Sequence, residues 1–469
     1  MEPTLVMKFG GTSVGSVHAL RQVVDIVRLA RAEWPRVAVV VSAMNGVTDL
    51  LLRGAHEAAG GDEAVPARLA AELRARHMAA VDELLGPRNG PDARTVINAC
   101  LDEFVTLCHA VRVLGEASPR ALDAIASFGE RMSAPLAAAA LNAAGLPARA
   151  VDAAQVVVTD AAYQSAAPDL EATQARVEAV VVPLLADGIV PVITGFLGAT
   201  PGGVVTTLGR GGSDFSAAIF GVALGASEVW IWTDVDGVMT ADPRIVPAAC
   251  TLPELTFREI SELAFYGAKV LHPKTIRPVV ERRIGLWVKN TFNPANSGTR
   301  VTPDNGFTAG SVKAVTAFKG QCILTLEGRG MLGIPGIAAR TFAAVARTGT
   351  SVAMISQASS EQSICFVVPC PSGAGVRQAL EDEFWQELAH RDIDSITLSP
   401  PSAVVTVVGA GMRHTPGIAG RIFSVLGQAG VNVVAIAQGS SECSISLVVV
   451  EAEADDAVRA IHTLTDEAP

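Results

Sequence analysis

The stretch MLGIPGIAARTFAAV at 331–345 recurs as MRHTPGIAGRIFSVL at 412–426, and QASSEQSI at 357–364 recurs as QGSSECSI at 438–445, both 81 residues apart. Pro335, Gly336, Ile337 and Arg340 thereby answer Pro416, Gly417, Ile418 and Arg421. Self-similarity at one offset means one supersecondary unit used twice. From about residue 313 each copy reads strand, P-G-I turn, helix, strand, turn, strand, helix, which fits a βαββαβ module. Pro335 and Pro416 are expected in the first helical turn, where the missing N–H costs nothing. The tandem fills only the last third of 469 residues. A chain of that length exceeds one core, so a separate domain is expected before it.

Composition narrows what that domain does. Half the residues are apolar but only 5% are aromatic, which suits a buried α/β sheet. No run of about 20 strongly apolar residues occurs; the longest charge-free stretch, 132–148, is broken by Pro135, Gly145 and Pro147. The start, MEPTLVMKFGG, has no basic segment followed by an apolar one, so no signal peptide is expected and a cytoplasmic location is. Seven cysteines without a C-x-x-C predict reduced thiols, neither a disulfide framework nor a zinc site. A net charge of −11 argues against nucleic acid as partner, because phosphate-backbone binding needs a basic face.

The opening LVMKFGG, a helix at 16–33 and the strand VAVVVSAM (37–44) form the strand–turn–helix–strand unit of a parallel sheet. Residues 53–120 read as a helical insertion, 127–145 as a helix, and 148–152, 190–196, 229–234 and 286–290 as strands; 293–312 reads as a linker. Two glycine-rich turns stand at strand or helix ends: Lys8-Phe9-Gly10-Gly11, and Arg210-Gly211-Gly212-Ser213-Asp214 before a helix expected near Phe215, with Ser213 or Asp214 as its cap. Glycines let backbone amides approach an anion, and the cations neutralise it. Neither turn is a Walker loop. WTDVDGVMTADPR (232–244) places Thr233, Asp234, Asp236, Met239, Asp242 and Arg244 after a strand, where open α/β sheets bind ligands. FYGAKVLHP sets Lys269 near Tyr266 and His272; SAMNGVTDLL carries Ser42 and Thr48; SFGERMS carries Glu130. No protein metal cluster is expected. These features together suggest phosphoryl transfer on an α/β scaffold without a P-loop.

KFGGTSV, SFGERMS, TTLGRGGSD, TDVDG…TADPR and FYGAKVLHP occur in the order found in aspartate kinases of the amino acid kinase family, which the chain resembles over nearly its whole length. The resemblance implies a mainly parallel sheet between helices over 1–305, then two ACT domains at 313–400 and 401–469. It implies ATP-dependent phosphorylation of the side-chain carboxylate of L-aspartate, the first step toward lysine, threonine, methionine and isoleucine. Carried over by motif, Lys8 stabilises the transferring phosphoryl group and Asp214 orients Lys8. Arg210 pairs with the substrate's α-carboxylate and Glu130 accepts its ammonium; Ser42, Thr48 and Ser213 also contact substrate. Gly10, Gly11, Thr233, Asp234, Met239, Arg244 and Lys269 hold ATP, with Mg2+ bridging its phosphates. Many relatives carry an aromatic where Met239 stands, so methionine packs there differently. The Q-x-S-S-E-x-S-I motifs resemble those of threonine-regulated bifunctional enzymes. Gln357, Ser360, Gln438 and Ser441 are then effector residues, with threonine ahead of lysine, and the ACT units build a homodimer or homotetramer. Since no dehydrogenase segment follows residue 469, a monofunctional kinase is expected. The alternatives are a same-fold kinase of a specialised pathway such as ectoine synthesis, and a catalytically dead amino-acid sensor.

Overall fold

The computed structural model describes residues 2–266, 271, 273–303, 312–357, 362–412, 415–439 and 443–465, the side chains of 87–89, 273 and 274 excepted. In chain order the first elements are β1 (Thr4–Phe9), α1 (Val17–Glu33), β2 (Arg36–Val41), α2 (Val47–Ala59), α3 (Val65–Asn89), α4 (Pro91–Leu114), α5 (Pro119–Ala126) and α6 (Phe128–Ala143). Next come β3 (Ala148–Val151), α7 (Leu170–Ala186), β4 (Val190–Thr194), β5 (Leu197–Ala199), β6 (Val205–Thr207), α8 (Gly212–Ala223), β7 (Glu228–Thr233) and β8 (Glu254–Thr256). Then follow α9 (Phe257–Phe265), α10 (Pro273–Glu281), β9 (Gly285–Asn290) and β10 (Thr299–Thr302). No described helix is long and apolar enough to cross a membrane.

Eight of these strands form one sheet in the order β3-β4-β2-β1-β7-β9-β10-β8. All neighbours are parallel except β9 and β10. Every residue of β1 is buried, which is why its sequence shows no alternation: both faces are covered. α1 starts where Ser16 Oγ accepts from Ala19 N–H, one position inside the expected start. The expected linker at 293–312 is partly strand, since β10 pairs with β9 and β8.

The chain divides into two compact units, and the division is not the continuous 1–305 expected from sequence. The first unit holds 1–238, 251–257 and 270–303; the second holds 239–250, 258–269 and 304–469. Segment 239–250 belongs to the second because Ala241 and Val246 lie in its core. In addition, Thr240 Oγ1 lies 2.9 Å from His462 Nε2, and Val315 N–H donates to Thr240 O. Segment 258–269 is tied in by Glu259, wholly buried, whose carboxylate accepts from Lys313 Nζ and Ala410 N–H.

The second unit continues with β11 (Ala314–Glu327), α11 (Ile337–Arg347), β12 (Met354–Gln357), β13 (Ser363–Pro369), α12 (Cys370–Glu383), α13 (Trp385–His390) and β14 (Ser395–Leu398). It ends with β15 (Ser402–Val408), α14 (Ile418–Gln428), β16 (Ala435–Gln438), β17 (Ser444–Val450) and α15 (Ala454–His462). α11, β12 and β13 recur as α14, β16 and β17 with bounds 81 residues on, so the sequence repeat is a structural one. Gly336 and Gly417, at φ 96° and 90°, are the N-caps of α11 and α14. Pro335 and Pro416 therefore precede the caps and do not occupy the first turn. The copies are interleaved rather than consecutive. Residues 321–327 of β11 pair with β13, whereas 314–318 pair with β15. The second copy thus takes a strand from the front of the first, so residues 313–400 do not all belong to one module.

Cys322 and Cys370 form a disulfide, which corrects the expectation of reduced thiols throughout. Cys322 lies opposite Val368 on β13, and Cys370 follows that strand, bringing the two Cα atoms to 5.0 Å. That is bridging distance, and spacing along the chain does not reveal it. The bond closes a loop with a sequence separation of 48. Replacing both cysteines by serine is expected to cost about 2–4 kcal/mol, read from the urea midpoint. An unchanged midpoint would show that the bond does not constrain the unfolded chain.

Candidate active site

The carboxyl ends of β1, β2 and β7, the first turns of α2, α6 and α8, and the loop before α8 carry the candidate residues of the first unit. Lys8, next to last on β1, is buried, and its Nζ lies 2.6 Å from Asp214 Oδ1 in the first turn of α8. A buried lysine is not the solvated one a tight turn would leave. The ammonium curls over Gly10: a Cβ there would stand 3.5 Å from Nζ. Gly10 N–H donates to Trp232 O, tying the turn to the end of β7. Gly11 lies against the β2 loop, where a Cβ would meet Ala43 O at 3.0 Å, and its carbonyl accepts from Asn45 N–H.

Neither Ser213 nor Asp214 caps α8. The cap is Gly211 at φ 72°, a left-handed position that leaves both side chains in the first turn. Asp214 is therefore directed to Lys8, and Ser213 lies against Gly195, where a Cβ would be 2.9 Å from its Oγ.

The Ser42–Thr48 turn is fastened to α6. Ser133 Oγ donates to Ser42 O at 2.7 Å, and Ala43 N–H donates to Glu130 Oε1 at 3.0 Å. Gly129 permits this approach, since a Cβ there would stand 2.6 Å from Ala43 Cβ and 3.4 Å from Thr48 Oγ1. Glu130 is buried and its Oε2 has no hydrogen-bond partner. Burial pushes its carboxyl up to about 8, against the lowering effect of Ala43 N–H. A buried carboxyl with one unpartnered oxygen suits a cationic ligand group.

Arg210 is exposed, between Gly209 and Gly211, both at positive φ, and makes no ion pair among the described residues. Thr233 Oγ1 donates to Asp234 Oδ1. Their loop is steadied by a residue the sequence did not single out: Thr291, whose N–H donates to Thr233 O and whose Oγ1 lies 2.7 Å from Ser13 Oγ. Asp236 accepts from Asn290 Nδ2 and Asn293 Nδ2 at 2.7 and 3.1 Å. Asp123 was also missed. It is buried on α5 and accepts from Gln164 N–H, Thr207 N–H and Thr207 Oγ1–H. Burial raises its pKa, and those donors oppose the rise. A lone aspartate in an amphipathic helix gives no sign of such partners.

Met239 and Arg244 belong to the second unit and are described there. Met239 is half-buried; Arg244 is exposed and pairs with Asp242 at 2.6 Å, which holds the Asp242 carboxyl below its ordinary range. Gln357 and Gln438 end β12 and β16, both exposed, and these strands adjoin where Ser356 Oγ donates to Ile436 O. Lys269, Ser360 and Ser441 lie outside the described residues. No described group of three or more His, Cys, Asp or Glu side chains is arranged to hold a metal ion.

Residues 3–290 match the family described as the amino acid kinase family, and 324–384 and 405–464 each match an ACT domain. The chain belongs to the amino acid kinase family. It is 36% identical to a chloroplastic bifunctional aspartokinase/homoserine dehydrogenase 1 of Arabidopsis thaliana over 98% of its own length. It spans about half the length of that relative, 50%. Its fold matches E. coli aspartokinase III in complex with aspartate and ADP with TM-score 0.82 and 30% identity, covering 99% of this chain and 100% of that one. The lysine and aspartate complex of the same E. coli enzyme matches with TM-score 0.78 and 31% identity, over 98% and 99%. Among amino acid kinases, then, this member combines the kinase sheet with an ACT pair, as the motifs predicted.

Proposed function

We propose that the chain transfers the γ-phosphoryl group of ATP to the side-chain carboxylate of L-aspartate, giving 4-phospho-L-aspartate, under control of an amino acid bound at the ACT pair. The observation that carries this reading is the buried Lys8–Asp214 pair at a glycine turn, on the same sheet end as a buried glutamate with an unpartnered oxygen. Phosphoryl transfer asks mainly for positioning and charge stabilisation. A carboxylate is already nucleophilic at neutral pH, so no general base is required. Lys8 and the amide of Gly11 offset the repulsion between two anions, while Gly10, whose N–H is taken by Trp232 O, lets the backbone approach closely. Asp214, 2.6 Å away, keeps the Lys8 ammonium directed.

Arg210 takes the α-carboxylate as a planar fork, Glu130 takes the ammonium, and Ser42, Thr48 and Ser213 donate to substrate oxygens. Thr233, Asp234, Met239, Arg244 and Lys269 are the nucleotide residues. Mg2+ would be held by the nucleotide phosphates together with waters and one or two carboxylates, as is usual for that ion, and would neutralise the phosphate charge. Gln357 and Gln438, with Ser360 and Ser441, are the effector residues. We place threonine ahead of lysine on the Q-x-S-S-E-x-S-I motifs, although the E. coli complex contains lysine. A homo-oligomer formed through the ACT pair belongs to this reading.

Hydroxylamine trapping of the acyl phosphate tests it. Among acidic amino acids, aspartate is expected to give most hydroxamate, and millimolar threonine to suppress it more than lysine. Trapping with another acceptor only would end the proposal; indifference to both amino acids would end the effector assignment.

A further inference from the structure

We propose that Asp123 is a positioning residue for aspartate recognition: its buried carboxylate fixes the loop that presents Arg210. This rests on the reading of Arg210 as the residue that binds the substrate's α-carboxylate. Arg210 cannot hold its own direction. It is exposed, and the glycines on either side, at φ 77° and 72°, are the residues least able to restrict a backbone. Order must come from outside this pair of hinges.

On the far side it comes from packing: Gly212 lies against the Phe196 ring, where a Cβ would stand 2.5 Å from Cδ2. On the near side it comes from Asp123. Thr207, three residues before Arg210, donates to that carboxylate through both N–H (3.0 Å) and Oγ1 (2.7 Å). Gln164 N–H donates to both carboxylate oxygens, at 3.0 and 3.1 Å. Gln164 is held at φ 69°, a left-handed conformation that a non-glycine residue adopts only when its surroundings over-determine it. Its carbonyl lies where a Cβ on Gly209 would come within 2.9 Å. One carboxylate thus fastens both the strand leading into the arginine loop and the backbone that supports its first glycine. It is 1% exposed, so it acts through the loop rather than on substrate.

Asp123→Asn tests this, because it keeps the shape but turns an amide NH2 toward N–H donors. The readouts are the Michaelis constants for aspartate and ATP and the melting temperature of Asp123→Asn, Arg210→Ala and the double variant. Asp123→Asn is expected to raise KM for aspartate roughly tenfold or more, the loss of charge-assisted hydrogen bonds, with KM for ATP unchanged. The double variant is expected to be no worse than Arg210→Ala, since the residues act in series. Equal rises in both constants, or full additivity, would overturn the proposal. If Arg210→Ala alone leaves KM for aspartate unchanged, the arginine assignment fails first and the proposal falls with it. Should Asp123→Asn not fold, Thr207→Val removes one donor and is expected to give a smaller rise in KM for aspartate alone; no such rise overturns the proposal.

Discussion

Lys8→Ala is expected to lower kcat by about a thousand-fold, the scale of loss when a preorganised charge stabiliser is removed from a site. The lysine sits on a strand whose six residues are all buried, so its backbone is fixed by the sheet and its ammonium by Asp214 at 2.6 Å. Truncation leaves Asp214 a mostly buried, unpaired charge, and a lower melting temperature is expected with it. The double variant Lys8→Met/Asp214→Asn separates the two effects. Replacing both partners by neutral groups is expected to restore melting without restoring turnover. A double variant that recovered activity as well would mean the pair serves the fold and not the phosphoryl group.

Glu130→Gln is expected to raise KM for aspartate a hundred-fold or so, about the effect of breaking a buried charge pair, while leaving the free protein at least as stable as the parent. The two expectations have one cause. With its carboxyl raised to about 8 by burial, Glu130 is protonated in the free protein at neutral pH. Its folded pKa lies above the unfolded value, so its contribution to stability is complete below the ordinary glutamate range and is lost as pH rises through about 8. Glutamine escapes that loss, and the variant is expected to melt higher than the parent at pH 9. Aspartate's ammonium needs the carboxylate, however, so binding near pH 7 is expected to release close to one proton. KM for aspartate in the parent is then expected to fall as pH rises, up to tenfold per unit below the raised pKa, and to level off above it. Calorimetry in buffers of different ionisation enthalpy reads the proton directly. No release, or a pH profile unchanged in Glu130→Gln, would remove Glu130 from the substrate site.

The parts legible in the sequence were those encoded locally. The buried strand LVMKF, the glycine turns and the 81-residue repeat are runs of neighbouring residues whose conformation follows from their own chemistry. Glu130 was legible as a charge in an apolar helix start, although its missing partner was not. What escaped depends on chain segments meeting. Cys322 and Cys370 pair because β11 and β13 align them, and β10 is a strand only because β9 and β8 flank it. α8 is capped by Gly211 at positive φ, so the side chains that resemble caps face the site instead. Asp123 has donors 41 and 84 residues away, a distance no local pattern spans. The second repeat's borrowed strand is of the same kind: 314–318 open the first copy and pair with the second.

The most direct test of the account is a crystal structure with aspartate and a non-hydrolysable ATP analogue bound. The expected result is a terminal phosphate within hydrogen-bonding distance of Lys8 Nζ, about 3 Å, with the substrate ammonium against Glu130 Oε2. Phosphates seated away from both glycine turns, or aspartate bound without Glu130, would contradict it.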